Sequence, residues 1–271
     1  MNNFSSKIFT DVMLPYVKAA GEYALRIQKN VGSQPSKEHD NPLGQALTDA
    51  DISVQNFIEV VLLNHFPEIS FFGEEEDKSL NMKYFSQHSG FRALLDPVDG
   101  TYSYKIGKEV FSVILSLTSP GGFEAVISYA PGKKTATYFN QEEGVMTENN
   151  GVKAKLILQP KSNVIITEKV DDLRERLPEE FSYIDTINDR DAADSILNDT
   201  VFYGKAIGFI AENVAAIDWG AYAAMLQKAG GIVTDFRGKP LKFDYSVPNF
   251  RYEEILACVD ERTHEKILSR I

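Results

Sequence analysis

The chain has 271 residues, 43% hydrophobic and 25% charged, the balance of an ordinary globular protein with one large domain or two modest ones. Its formal charge of −11, from 39 acidic against 28 basic residues, counts against nucleic acid as a partner, since phosphate backbones are bound by Lys/Arg surfaces. No run approaches the roughly 18 uninterrupted apolar residues of a membrane span, and MNNFSSKIFTDVMLPY lacks the basic and apolar regions of a signal peptide.

Residues 5–28 read as a long amphipathic helix, with Ile8, Val12, Tyr16, Ala19, Tyr23 and Ile27 recurring at spacings of four and three. Pro15 within it is expected to kink it or shorten its first part. The polar stretch VGSQPSKEHDNPLGQ (31–45) reads as an exposed loop. A second helix is expected from Thr48 to His65, with Val54, Ile58, Val61 and Leu62 on one face and Pro67 ending it.

The texture then changes. ISFFGEE, RALLD, FSVILSLT, FEAVISYA and TATYF are short apolar or alternating runs between turn residues, which is strand behaviour. GVMTENNGVKAKL reads as a hairpin on its Asn-Asn-Gly turn. NVIITE (163–168) opens a second domain, so the expected division is 1–160 and 161–271. The segment 171–200 is polar, acidic and without a clear period. A last helix spans Asp218 to Ala229, with Asp218 as a possible cap, Ala221, Met225 and Leu226 buried and Gly230 at its end; the strand GIVTDF follows. The one cysteine, Cys258, excludes an internal disulfide and fits a reducing cytoplasm. Helices, then a strand-rich middle, then mixed elements point to a layered α+β fold.

Four acidic stretches lie at the ends of these elements: TDAD (48–51), GEEED (73–77), DPVD (96–99) and Asp218. Each has an ordinary reading. Thr48 and Asp51 fit a helix capping box, the glutamates a solvated acidic turn, Asp96-Pro97-Val98-Asp99 a tight turn, and Asp218 an N-cap. Together they supply hard oxygen ligands that could converge in a crevice, which suits Mg²⁺ or Mn²⁺. The four histidines (39, 65, 88, 264) are scattered and one cysteine builds no thiolate site. A bound metal would be held by oxygen.

LLDPVDGT (94–101), preceded by FFGEE (71–75) and followed by IDWGAYAAMLQKAGG (217–231), resembles the inositol monophosphatase family of lithium-sensitive, Mg²⁺-dependent phosphatases. That superfamily also includes 3′-phosphoadenosine-5′-phosphate phosphatases and fructose-1,6-bisphosphatases. The resemblance covers roughly residues 8–245 and implies the family's layered α-β-α-β-α sandwich. It implies Glu74 as a metal ligand with Glu75 behind it, and Asp96 bridging two metals, with the Val98 carbonyl completing the first site. Asp99 and Asp218 would hold the second metal. Gly100 and Thr101 would offer backbone N–H groups to the substrate phosphate, while Thr101 and Asp51 orient and deprotonate the attacking water. Two or three Mg²⁺ ions, a homodimer, lithium inhibition, a cytoplasmic location and a small phosphorylated substrate follow by the same resemblance. The chemistry is consistent, because an acidic protein cannot neutralise phosphoryl charge with side chains alone, whereas paired divalent ions can.

Haloacid-dehalogenase-type phosphatases carry D-x-D-G-T, but here two residues, not one, separate the aspartates. The P-loop pattern G-x-x-x-x-G-K-[ST] is absent. The family pattern is broken at Gln55 and Lys228, both usually glutamate, and in the short 204–217 segment, where GKAIG (204–208) stands in for a Gly-Ser motif. Glu212 falls near the place of a carboxylate that contacts substrate hydroxyls. The length of YSYKIGKEVFSV fits the nucleotide branch, for which Lys105, Lys108 and Lys205 are candidate second-phosphate contacts. The expected activity is inositol-monophosphatase-like phosphomonoester hydrolysis. Its alternatives are 3′-phosphoadenosine-5′-phosphate hydrolysis and a catalytically idle, ligand-binding relative.

Overall fold

The computed structural model describes residues 4–31, 48–188, 200–243 and 250–271. The expected loop 32–45 lies outside the described residues. The chain forms two compact units, Met1–Ala154 and Lys155–Ile271.

In the first unit, α1 (Ser6–Ile27) starts at Ser5, whose Oγ accepts the Ile8 N–H at 3.3 Å. Its buried line is Phe9, Met13, Val17, Ala20 and Ala24, one residue round from the expected stripe; Ile8, Ala19 and Tyr23 are exposed. Small residues decide this, because Ala20, Gly21 and Ala24 let the helix approach the sheet closely. A Cβ on Gly21 would lie 2.8 Å from the Tyr129 ring. Pro15 neither ends nor shortens the helix. It sits on the exposed side, where water can satisfy the carbonyl that loses its N–H partner. The second helix, α2 (Asp49–His65), buries Val54, Ile58, Val61 and Leu62 and begins with a complete Thr48–Asp51 capping box.

Both helices pack on a seven-stranded sheet whose strands lie in chain order. These are β1 (Ser70–Gly73), β2 (Arg92–Asp99), β3 (Ser112–Ser119), β4 (Gly122–Ala130), β5 (Thr135–Asn140), β6 (Gly144–Asn149) and β7 (Val152–Lys155). β1 and β2 run parallel, and the pairs from β2 through β6 are antiparallel. Asn150 and Gly151, at φ 48° and 84°, close the expected hairpin between β6 and β7.

The second unit has a five-stranded sheet in the order β11-β12-β10-β8-β9. Its strands are β8 (Val164–Glu168), β9 (Ser182–Asp185), β10 (Gly208–Ala215), β11 (Ile232–Thr234) and β12 (Arg251–Cys258). The helices α4 (Ala221–Lys228) and α5 (Glu261–Leu268) belong to it, and α3 (Thr101–Lys105) to the first unit. Asp218 does not cap α4. A π-helical turn, Ala216–Gly220, precedes that helix, and Asp218 lies inside it. β9, β12 and α5 go beyond the sequence expectation. The apolar run Ile255–Cys258 and the cap Asp260, whose side chain accepts the Thr263 N–H at 2.9 Å, were the signals for β12 and α5.

A Cβ on Gly208 would stand 2.5 Å from the Ala257 carbonyl oxygen across the β10–β12 pair. Gly208→Ala is therefore expected to lower stability by about 1–3 kcal/mol, read from the urea midpoint. An unchanged midpoint would show that the two strands separate freely.

Candidate active site

The candidate site is built where β2 leaves its ladder. Through Leu95 the strand pairs with β1 on one side and β3 on the other. Asp96 then faces Ile114 and Asp99 faces Ser112, so β2 advances three residues while β3 advances two. The extra residue is a bulge, and Pro97, with no N–H to give the ladder, stands inside it. The bulge folds the chain back on itself. Asp96 Oδ1 accepts the Val98 N–H at 3.0 Å, the Val98 carbonyl accepts the Thr101 hydroxyl at 2.8 Å, and Asp99 Oδ2 accepts the Ser112 hydroxyl at 2.9 Å. Gly100 has φ 93°, with the Val110 carbonyl 3.0 Å from where a Cβ would lie, so a larger residue would be strained twice over. This turn opens α3 (Thr101–Lys105). Behind it, Tyr104 is fully buried and donates to the Ala24 carbonyl at 2.7 Å, fixing the turn to α1.

Asp51 reaches the same corner from α2. It is completely buried, and Thr48 donates to its Oδ2 twice, through the backbone at 2.8 Å and the hydroxyl at 2.6 Å. Its Oδ1 lies 3.2 Å from Thr101 Oγ1. The Thr101 hydroxyl has one proton and two acceptors, Asp51 Oδ1 and Val98 O. When it donates to one of them, its lone pairs remain able to accept from a third group. The capping box and the contact with Thr101 thus share one carboxylate.

Glu74 arrives from β1. Its N–H donates to the Leu95 carbonyl at 3.0 Å, which sets it beside Asp96 on the neighbouring strand, with its side chain exposed. Glu75 turns inward and is buried, its backbone clasped by Gln55. The set Glu74, Asp96, Val98 carbonyl and Asp99 is all hard oxygen, the donor chemistry that fits Mg²⁺ or Mn²⁺. Among the described residues, no three acidic, His or Cys side chains converge around a common point. Asp96 and Asp99 instead hold local hydrogen bonds to Val98 and Ser112.

Asp218 and Glu212 belong to the second unit. Asp218 Oδ1 accepts the N–H of Trp219 at 2.5 Å. Glu212, half-buried on β10, pairs in register with Glu254 on β12. Lys228 is exposed at the end of α4, and Gly204, with φ 75°, opens the GKAIG segment. Sequence reasoning did not anticipate Ser112 as the partner of Asp99, or Glu59 as a buried carboxylate. A glutamate between Ile58 and Val61 on the apolar face of α2 was the signal for the latter.

Two mixed sheets packed with helices, in two units, define an α+β class of fold. The chain belongs to the inositol monophosphatase family, whose model matches residues 10–271. A histidinol-phosphatase of Chlorobaculum parvum is 26% identical over 207 residues, 75% of this chain and 76% of its own length. The extragenic suppressor protein suhB of Bartonella henselae has a similar crystal structure, with a TM-score of 0.76, 22% identity and coverage of 97% and 98% of the two chains. An IMPase/NADP phosphatase complexed with Mg²⁺ and phosphate follows at a TM-score of 0.72, 18% identity and 97% and 94% coverage. These likenesses show the fold.

The Glu212 carboxyl is held above the usual carboxylate range, first by burial and then by the charges of Glu254 and Asp172. Folding therefore favours its protonated form, a contribution present below the unfolded pKa and lost as pH rises through the folded one. Glu254→Gln is expected to move the Glu212 midpoint down toward its ordinary value, followed by carboxyl-carbon NMR. A midpoint that stays put would remove Glu254 as a cause.

Proposed function

We propose that this protein is a Mg²⁺-dependent phosphomonoesterase acting on a small phosphorylated alcohol, inositol-monophosphatase-like in mechanism. The observation that carries this reading is the convergence of Asp51, Thr101 and the Val98 carbonyl beside the Asp96–Asp99 bulge. Glu74, Asp96, the Val98 carbonyl and Asp99 would hold the ions in the first unit, with Glu75 supporting that set; Asp218, in the second unit, is a candidate ligand by the family resemblance alone. Bound divalent ions would neutralise the phosphoryl and leaving-group oxygens and acidify the attacking water. The chain's own work is positioning. Backbone N–H groups of Gly100 and Thr101 grip phosphate oxygens, and the Thr101 hydroxyl orients the water. Asp51 would receive the proton through Thr101; Glu212, in the second unit, is the candidate for the alcohol portion by the family resemblance.

A second reading of the substrate is an amine-bearing phosphomonoester. Glu212 and Glu254 stand opposite each other on adjacent strands, and their repulsion would be relieved by a cationic group. The histidinol-phosphatase relative supports this choice. A nucleotide bisphosphate would instead call on Lys105, Lys108 and Lys205.

Phosphate release measured with about 5 mM Mg²⁺, a level matched to weakly held hydrated ions, and without it tests the reading. The panel is inositol-1-phosphate, histidinol phosphate, 3′-phosphoadenosine-5′-phosphate, fructose-1,6-bisphosphate and glycerol-2-phosphate. Mg²⁺-dependent turnover on at least one is expected, with inhibition by millimolar Li⁺; silence on all from folded, metal-bound protein would favour an idle binding relative. Asp96→Asn is expected to lower turnover about a thousandfold, the scale of several kcal/mol of charge stabilisation, with an unchanged circular dichroism spectrum. Retained turnover would remove Asp96 from the mechanism.

A further inference from the structure

Two polar side chains interrupt the apolar face of α2 one turn apart. Gln55 and Glu59 are both fully buried, and the amide of one donates to the carboxylate of the other at 3.0 Å. Gln55 also spans to the next segment. Its Nε2 donates to the Glu75 carbonyl at 2.9 Å and its Oε1 accepts the Glu75 N–H at 2.9 Å. The second oxygen of Glu59 accepts the Asn81 amide at 3.0 Å, and Asn56 accepts the Leu80 N–H at 3.1 Å. At Gly73, any Cβ would collide with the Gln55 amide. The segment from Gly73 to Asn81 is thus sewn along α2, and Gly73 and Glu74 are also held to β2 at Leu95.

We infer that Gln55 and Glu59 form one positioning unit for the Glu74–Glu75 turn, built from one amide and one acid hydrogen-bonded to each other. The inference rests on the reading of Glu74 as a metal ligand. The Gln55 side chain donates to the Glu75 carbonyl and to Glu59 while accepting the Glu75 N–H, a set of bonds that an ionised acid, having no hydrogen to donate, cannot make. A glutamate at 55 has no donor for that carbonyl or for Glu59. It would also set two carboxylates side by side in an apolar layer, where charge is poorly tolerated without a partner. Exchanging the pair restores most of the pattern: an acid at 55 still accepts the Glu75 N–H, and an amide at 59 donates back to it while accepting from Asn81.

The test compares full-length wild type, Gln55→Glu, Glu59→Gln and the double exchange Q55E/E59Q. Metal-free protein is titrated calorimetrically with Mn²⁺, and each variant is also melted in chelator. Gln55→Glu is expected to weaken Mn²⁺ binding about tenfold or more, the range seen when a residue behind a metal ligand is removed. The double exchange is expected to recover most of that loss. In turnover, the Mg²⁺ requirement should rise by the same factor while the substrate KM is held. Should Gln55→Glu fail to fold, Gln55→Met, nearly isosteric and uncharged, is expected to fold and show the same weakening. A lower melting temperature with unchanged Mn²⁺ affinity would overturn the positioning role and leave only a structural one. Failure of the double exchange to recover affinity would overturn the pairing. Wild-type protein that binds no Mn²⁺ would overturn the metal reading itself, and this inference with it.

Discussion

The site depends on one break in hydrogen-bond register. β2 is held on both sides up to Leu95, and its residues Ala93, Leu94 and Leu95 are almost wholly buried. A strand so placed cannot shift without uncovering them, so the point at which it leaves the ladder is set to within a residue. The extra residue between Asp96 and Asp99 turns the backbone there. The Val98 carbonyl, normally committed to a sheet, then faces the Thr101 hydroxyl. Pro97 makes the departure cheap, since it has no ladder hydrogen bond to lose. Gly100 makes the return possible by taking φ 93°.

Around that break, structural and chemical roles fall on the same atoms. Asp51 closes a capping box with one oxygen and faces Thr101 with the other. A completely buried carboxylate requires such bonds, because an unpartnered one would be driven to its neutral form. Thr48 therefore orients Asp51 as it starts α2. Glu59 shows the same economy: its burial is tolerable because Gln55 and Asn81 each donate to it. The acidic character of the chain concentrates where donors already exist.

The sheet of the second unit, like that of the first, mixes parallel and antiparallel pairs, and it has β10 at its centre between β8 and β12. Gly208 admits the close approach of β12 at one end of β10, and Glu212 meets Glu254 nearer the other. The facing acids are a tension in the unbound chain that a cation or a hydrogen-bonding hydroxyl would relieve.

Much of this was legible in residue order. The helices around Val17 and Ile58, the strands around Leu94 and Ile114, and the Asn150-Gly151 hairpin follow from periodicity and turn chemistry, which act over a few neighbours. LLDPVDGT also announced a turn at a strand end through its Asp, Pro and Gly. Other features depend on partners far along the chain. The face that α1 buries was set by Tyr129 against Gly21, more than one hundred positions away, and not by the helix's own stripe. Asp218 looked like a cap until the π-helical turn moved the helix start past it. The clasp of Gln55 on Glu75 crosses twenty positions, and Ser112 reaches Asp99 only because β3 folds back along β2. Local sequence determined which carboxylates exist and where each element ends. Tertiary structure decided which donors each carboxylate meets, because a hydrogen bond needs a partner at about 3 Å, and chain order alone does not bring distant residues to that distance.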